Sequence, residues 1–175
     1  MLGGIDYVSP SRFVSTAYRA YRKTHPQNAS VNGRVFEYCI AEVLIRNGIV
    51  PFYHQARLAF VPNVEFDFIC YHPSRPVVLS CKTSLRERYK QADLEGMAIR
   101  QVYRQAQSHL LTLSESEAVP LQAKISLGDV LGLSSCVCAD SAAFDSLIDS
   151  LAGMKFEFAQ PVTPIQGEVF PASPI

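Results

Sequence analysis

Glu65-Phe66-Asp67-Phe68-Ile69-Cys70-Tyr71-His72, a Pro73-Ser74-Arg75-Pro76 turn, and Val77-Val78-Leu79-Ser80-Cys81-Lys82-Thr83 form the stretch from which the fold is read. Two short runs rich in β-branched and aromatic residues, split by a proline-bounded turn, predict a strand pair over Glu65–Tyr71 and Val77–Thr83. Side chains on a strand alternate faces, so Glu65 and Asp67 share one face. Ser80 and Lys82 likewise share a face, and Cys81 points the opposite way. Downstream, Ser84-Leu85-Arg86-Glu87 has the pattern of a capping box opening a long helix. Leu94, Ala98, Val102, Ala106 and Leu110 then supply a core stripe, and the helix is expected to stop near Ser114.

Upstream, Ser9-Pro10 reads as an N-cap with proline at the first helical position, giving a helix to about Lys23. Residues 25–32 read as a polar loop. Val35, Phe36, Cys39, Ile40, Val43 and Leu44 recur at helical spacing from Gly33 to an Asn47-Gly48 stop. A strand is expected within Val50–Val61. Towards the C-terminus, Lys124–Leu127, Leu133–Ala139 and Lys155–Ala159 are expected strands, with a helix from an Asp140 cap to Ala152. No internal repeat is visible. The alternation predicts an α/β fold, a mixed β-sheet core flanked by helices, in one domain over residues 1–160. Residues 161–175 carry four prolines and are expected to form an extended tail or arm.

Bulk properties narrow the class. The chain has 175 residues, enough for a sizeable core, and 48 % are apolar, yet no run suits a bilayer span. The opening Met1-Leu2-Gly3-Gly4 lacks a basic segment before an apolar run, so no secretory signal and a cytoplasmic location are expected. Five cysteines are an odd number without framework spacing, which suits free thiols. Cys136-Val137-Cys138 lacks the second pair that a zinc site needs. Net charge is zero but uneven: residues 1–104 hold 14 Lys/Arg and 8 Asp/Glu, and residues 105–175 hold 2 and 8. A basic half of this kind suits a polyanion, and chance clustering on a charge-balanced protein explains it equally well.

The strand pair carries the chemistry. If its strands are neighbours, Asp67 and Lys82 stand a few ångströms apart. Asp67, the Cys81 carbonyl and one further carboxylate suit a hard cation such as Mg²⁺, which takes oxygen ligands and keeps several waters. Lys82 would then orient or deprotonate an attacking water. Glu95, thirteen residues past Lys82, flanks the helix stripe and can turn towards the strand ends. A lysine among Val77, Val78 and Leu79 is costly without a carboxylate partner. Arg86 and Arg88 at a helix start oppose its dipole, which favours a phosphate or base partner over a merely solvated turn. Arginine bonds guanine O6 and N7 bidentately and a carboxylate accepts from cytosine N4, so Arg86-Glu87-Arg88 has the chemistry to read C·G pairs.

The pattern Asp67…Ser80-x-Lys82…Glu95, followed through Arg86-Glu87-Arg88, resembles the restriction endonucleases of the PD-(D/E)XK superfamily. It is most similar to the branch that cuts CCGG-, CCNGG- and CCWGG-type sites. There the second acidic residue is displaced to the helix, Ser-x-Lys stands on the strand, and CCNGG-type members carry Arg-(Asp/Glu)-Arg after the lysine. The resemblance covers roughly residues 33–105. It implies a restriction-endonuclease-like fold and Mg²⁺-dependent hydrolysis of double-stranded DNA at a palindrome with CC and GG ends. It implies metal ligands Asp67 and Glu95, beside the Cys81 carbonyl argued above, catalytic Lys82, Ser80 within the site, and an assisting acid at Glu37, for which Glu42 on the same helix is the alternative. A homodimer suits a palindrome, and a DNA methyltransferase acting on the same site is the partner such an enzyme calls for. Two departures stand out: Phe66 replaces the proline before Asp67, and the Asp67–Lys82 spacing is short.

Other roles stay open. Glu87 can serve the capping box alone, and Glu95 can pair with Arg88 or Arg100. Glu65 reads as a strand-end carboxylate. Tyr18 and Tyr21 can stack on an extruded base or pack a core or dimer interface. His25, His54, His72 and His109 are scattered and receive no role. The alternatives to a restriction enzyme are a structure-specific junction or repair nuclease on the same fold, and a non-cleaving DNA-binding protein whose site has decayed at Ser80.

Overall fold

The computed structural model describes residues 6–25, 28–61 and 64–160. The tail expected over 161–175 lies outside these residues. The elements run α1 (Pro10–Thr24), α2 (Ala29–Arg46), β1 (Tyr53–Ala56), β2 (Phe66–Cys70), β3 (Val77–Lys82), α3 (Arg88–Val102), β4 (Gln107–Thr112), α4 (Glu115–Leu127), β5 (Ser135–Cys138) and α5 (Ala142–Ala152). The five strands form one mixed sheet in the order β1-β2-β3-β4-β5. β1, β2 and β3 pair antiparallel in sequence; β3, β4 and β5 pair parallel through α3 and α4 crossovers. This is the expected mixed α/β architecture, consistent with a restriction-endonuclease-like core.

Two apolar layers flank the sheet. Phe68, Cys70, Val77, Leu79 and Cys81 pack with Phe13, Phe36, Ile40 and Phe144 from α1, α2 and α5. On the other face, Ile69 and Val78 meet Ile99 of α3, and Leu110 and Cys136 meet Ala118 and Leu121 of α4. Fully buried side chains such as Phe36, Phe68 and Leu79 each contribute roughly 1.5–3 kcal/mol. Alternation then puts Ser80 and Lys82 on the α3 side and the Cys81 side chain on the α2 side, as expected.

The helix starts follow local chemistry. Ser9 Oγ accepts from the Arg12 N–H and Pro10 opens α1. Asn28 caps α2 by accepting from the Ser30 and Val31 N–H groups, so α2 starts four residues before Gly33, inside the expected loop.

Three expectations are corrected. The long helix through Leu110 ends at Val102, and residues 107–112 form the interior strand β4. Leu94 and Val102 of the supposed core stripe are exposed; Ala92, Gly96 and Ile99 are the residues that α3 buries. A strand buried on both faces has no alternation, so its leucine merely continued an i+4 pattern. Lys124–Leu127 is the last turn of α4, ended by Gly128 at φ +83. Lys155–Ala159 runs beside the sheet without forming a strand, donating from the Glu157 N–H to the Tyr71 carbonyl.

Candidate active site

The β2–β3 ladder ends at Phe68↔Leu79. Beyond that pair the Asp67 side chain takes over the bonding. Asp67 Oδ2 accepts from the Cys81 N–H at 2.6 Å and from the Lys82 ammonium at 3.1 Å. Lys82 is the last residue of β3 and partly buried, so its charge has the carboxylate partner that burial demands. The tight hairpin implied by the short Asp67–Lys82 spacing is present, and it brings the two together.

Glu95 enters from α3. Its carboxyl is pushed above the ordinary range by burial, with Gln91 and Lys82 lowering it and the like charge of Asp67 raising it. Its hydrogen-bond donor is Gln91 Nε2 at 2.7 Å, not Arg88 or Arg100. Arg100 is committed elsewhere: it donates to the carbonyls of Ala106 and Leu131 and to Ser134 Oγ. Asp93 Oδ1 accepts from the Gly132 N–H at 2.5 Å. Asp93 and Arg100 thus clamp α3 to the loop before β5. The approach is close enough that a Cβ on Gly132 would sit 1.8 Å from the Asp93 carbonyl oxygen.

Glu37, not Glu42, is the acid of α2 at this site. Glu37 is buried, and its Oε2 lies 2.8 Å from both His54 Nε2 and Gln55 Nε2. Gln55 Nε2 also reaches Asp67 Oδ1 at 3.3 Å, so one amide bridges the two carboxylates. Glu42 pairs with Arg46, and Glu65 with Arg57. Sequence reasoning missed His54 and Gln55. The structural signal at Gln55 is a φ of +49 in a non-glycine residue on β1, between the paired positions His54↔Phe68 and Ala56↔Phe66.

Ser80 is buried, 3 % exposed, and supplies no carboxylate. Among the described residues, no three His, Cys, Asp or Glu side chains are grouped to hold a metal ion. The donor set nevertheless fits a hard cation that keeps its waters. Asp67 and Glu95 offer the oxygen donors such an ion takes, and Glu95 is partly buried on the helix that follows Lys82.

Arg86, Glu87 and Arg88 are all exposed at the start of α3. Glu87 occupies the N-cap but makes no capping bond; its carboxylate pairs with Lys90. The capping-box explanation of Glu87 is thereby removed. Tyr18 packs edge-on against Phe36 and belongs to the core margin. Tyr21 donates to Asn32 Oδ1 and stacks on His25. All five cysteines are free and buried, and burial raises the Cys39, Cys70 and Cys136 thiols to about 12.

No family model, curated protein or solved structure matches this chain. What the site can do rests on its own geometry. It has a lysine held by a carboxylate, a Glu37–Gln55–His54 cluster joined to that carboxylate, and a partly buried second carboxylate, Glu95, on the following helix. An exposed Arg-Glu-Arg segment lies six residues or fewer along the chain from the lysine. No described helix is long and apolar enough to cross a membrane.

Proposed function

We propose that this chain is a Mg²⁺-dependent type II restriction endonuclease that hydrolyses double-stranded DNA at a palindromic site with CC and GG ends. The observation that carries the reading is the Asp67–Lys82 pair at the open end of the β2–β3 ladder, followed along the chain by the partly buried Glu95 on α3. Lys82 ends the parallel strand β3, and α/β folds bind ligands outside the carboxyl ends of such strands.

Asp67, Glu95 and the Cys81 carbonyl would hold the ion, which when bound supplies positive charge to offset that developing on the phosphate. The residues of this chain do the rest. Lys82, anchored on Asp67, directs an ammonium proton at the attacking water or at a non-bridging phosphate oxygen. Gln55 holds Asp67 and Glu37 in a fixed relation. As the water oxygen bonds to phosphorus, the bond to the leaving oxygen breaks; the attacking water gives a proton to solvent and the leaving oxygen takes one up from solvent. Arg86, Glu87 and Arg88 face C·G pairs in the major groove, and two copies of the chain read the two half-sites.

The test is digestion of unmethylated plasmid with and without Mg²⁺, with Lys82→Ala as control and the fragment ends sequenced. Discrete Mg²⁺-dependent fragments sharing a CC…GG end, absent in the control, are expected. Cutting only at junctions or flaps would replace this reading by a structure-specific nuclease. DNA binding without cutting would mark Ser80 as the sign of a decayed site.

A further inference from the structure

The loop from Thr83 to Glu87 joins the catalytic strand to the exposed arginines, and a distant carboxylate holds it. Glu117, in the first turn of α4, accepts from the Leu85 N–H at 3.0 Å and from the Arg86 N–H at 3.2 Å, one to each oxygen. The residues are 32 and 31 positions apart, so the contact is tertiary. Arg86 adopts φ +40, a conformation unfavourable for a side chain of its size. The Arg88 N–H closes the turn on the Leu85 carbonyl at 2.7 Å. Leu85 is buried against α4, so its neighbour Arg86 is turned outwards. The Leu85 N–H bond chiefly holds the Glu117 carboxyl below the usual range, so the fork is charged at neutral pH. A charged acceptor makes the stronger class of hydrogen bond.

Resting on the restriction-enzyme reading, we propose that Glu117 is a specificity-positioning residue. Its carboxylate fixes the strained backbone at Leu85 and Arg86 and thereby aims Arg86 and Arg88 at the outer base pairs of the site. Glu117 itself touches neither DNA bases nor the reacting atoms. It acts through the geometry of the loop, and a bidentate arginine–guanine contact tolerates little misplacement. Without the fork, Arg86 relaxes to an ordinary backbone conformation and its guanidinium swings away, while its charge remains for the phosphates.

The experiment compares Glu117→Ala and Glu117→Gln in the Lys82→Ala background, where bound DNA is not consumed. Affinity is measured for a duplex carrying the site recovered from the plasmid digestion, and for one with its outer C·G pairs replaced by T·A. Hydrogen exchange of the Leu85 and Arg86 amides is followed alongside. Glu117→Ala is expected to lower the specific-to-non-specific ratio about tenfold or more, within the range that one mispaired position costs. Non-specific affinity should stay within about twofold, because phosphate contacts carry it. Glu117→Gln, keeping one acceptor oxygen, should fall between. A parent protein that discriminates, with Glu117→Ala discriminating equally well, overturns this inference alone. An even loss on both duplexes overturns it too, by making Glu117 a general support. A parent that fails to discriminate removes both the restriction reading and this one.

Discussion

Glu95 is held against its own preference. Burial raises its carboxyl above the 4.5 that it has in the unfolded chain, so the native state takes up a proton first as pH falls. Between the two values the folded protein binds more protons than the unfolded, so stability declines as pH rises through this window. Above it, the ionised side chain is a standing cost. Glu95→Gln is therefore expected to melt at a higher temperature than wild type in chelator at neutral pH, and to cut at least about a hundredfold more slowly with Mg²⁺. A lower melting temperature would show that the charge is already satisfied. Gln55 makes the complementary case. Its φ of +49 stores strain that glycine would relieve, and its amide joins Glu37 to Asp67. Gln55→Gly should leave the melting temperature equal or higher while the single-turnover rate falls about 10- to 100-fold, as for residues that orient ligands. Unchanged cutting would confine Gln55 to the backbone turn.

At the scale of elements, α3 is placed by contacts that allow no side chain between it and the loop before β5. A Cβ on Gly96 would stand 2.3 Å from the Gly132 carbonyl oxygen. Gly96→Ala must push α3 outwards, and Glu95, the preceding residue, moves with it. Overpacking of this kind costs about 1–3 kcal/mol, or roughly 2–12 °C of melting temperature in a chain this size. Thermal melts and cutting rates should therefore fall together. A variant that loses stability but keeps the wild-type rate would uncouple helix placement from the site. Gly33→Ala, where an added Cβ meets nothing within 4 Å, is the matched control.

Across the whole molecule, acid sensitivity is expected to have a source on β4 besides the depressed Glu117 carboxyl. His109 on β4 lies 2.8 Å from Ser135 Oγ. Burial first, and then the Arg100 charge, lower its pKa from 6.5 to about 4. The folded protein refuses a proton that the unfolded chain accepts. The stability from neutral His109 is complete above pH 6.5 and is lost as pH falls towards about 4. The difference is on the order of 3 kcal/mol. Urea titrations at pH 7 and pH 4.5 should show a larger loss for wild type than for His109→Asn, which can still bond Ser135. Equal losses would mean that His109 is protonated in the fold.

Local chemistry in the sequence determined the hairpin of β2 and β3, the capped start of α1 and the helical face of α2, because caps, turns and periodicity act within a few residues. It also marked Lys82, since a charge within an apolar strand asks for a carboxylate partner, and Asp67 as that partner on the neighbouring strand, whereas Glu37 was named only through the family resemblance. Only the tertiary structure decided where α3 ends, because β4 is a strand solely through its pairing with β3 and β5, and its buried residues carry no period. The same holds for Gln55, His54 and Glu117. Each is an ordinary polar residue in its own segment and gains a role from a partner 12 to 32 residues away. How close α3 lies to the loop before β5 was likewise settled by packing, through the two glycines Gly96 and Gly132.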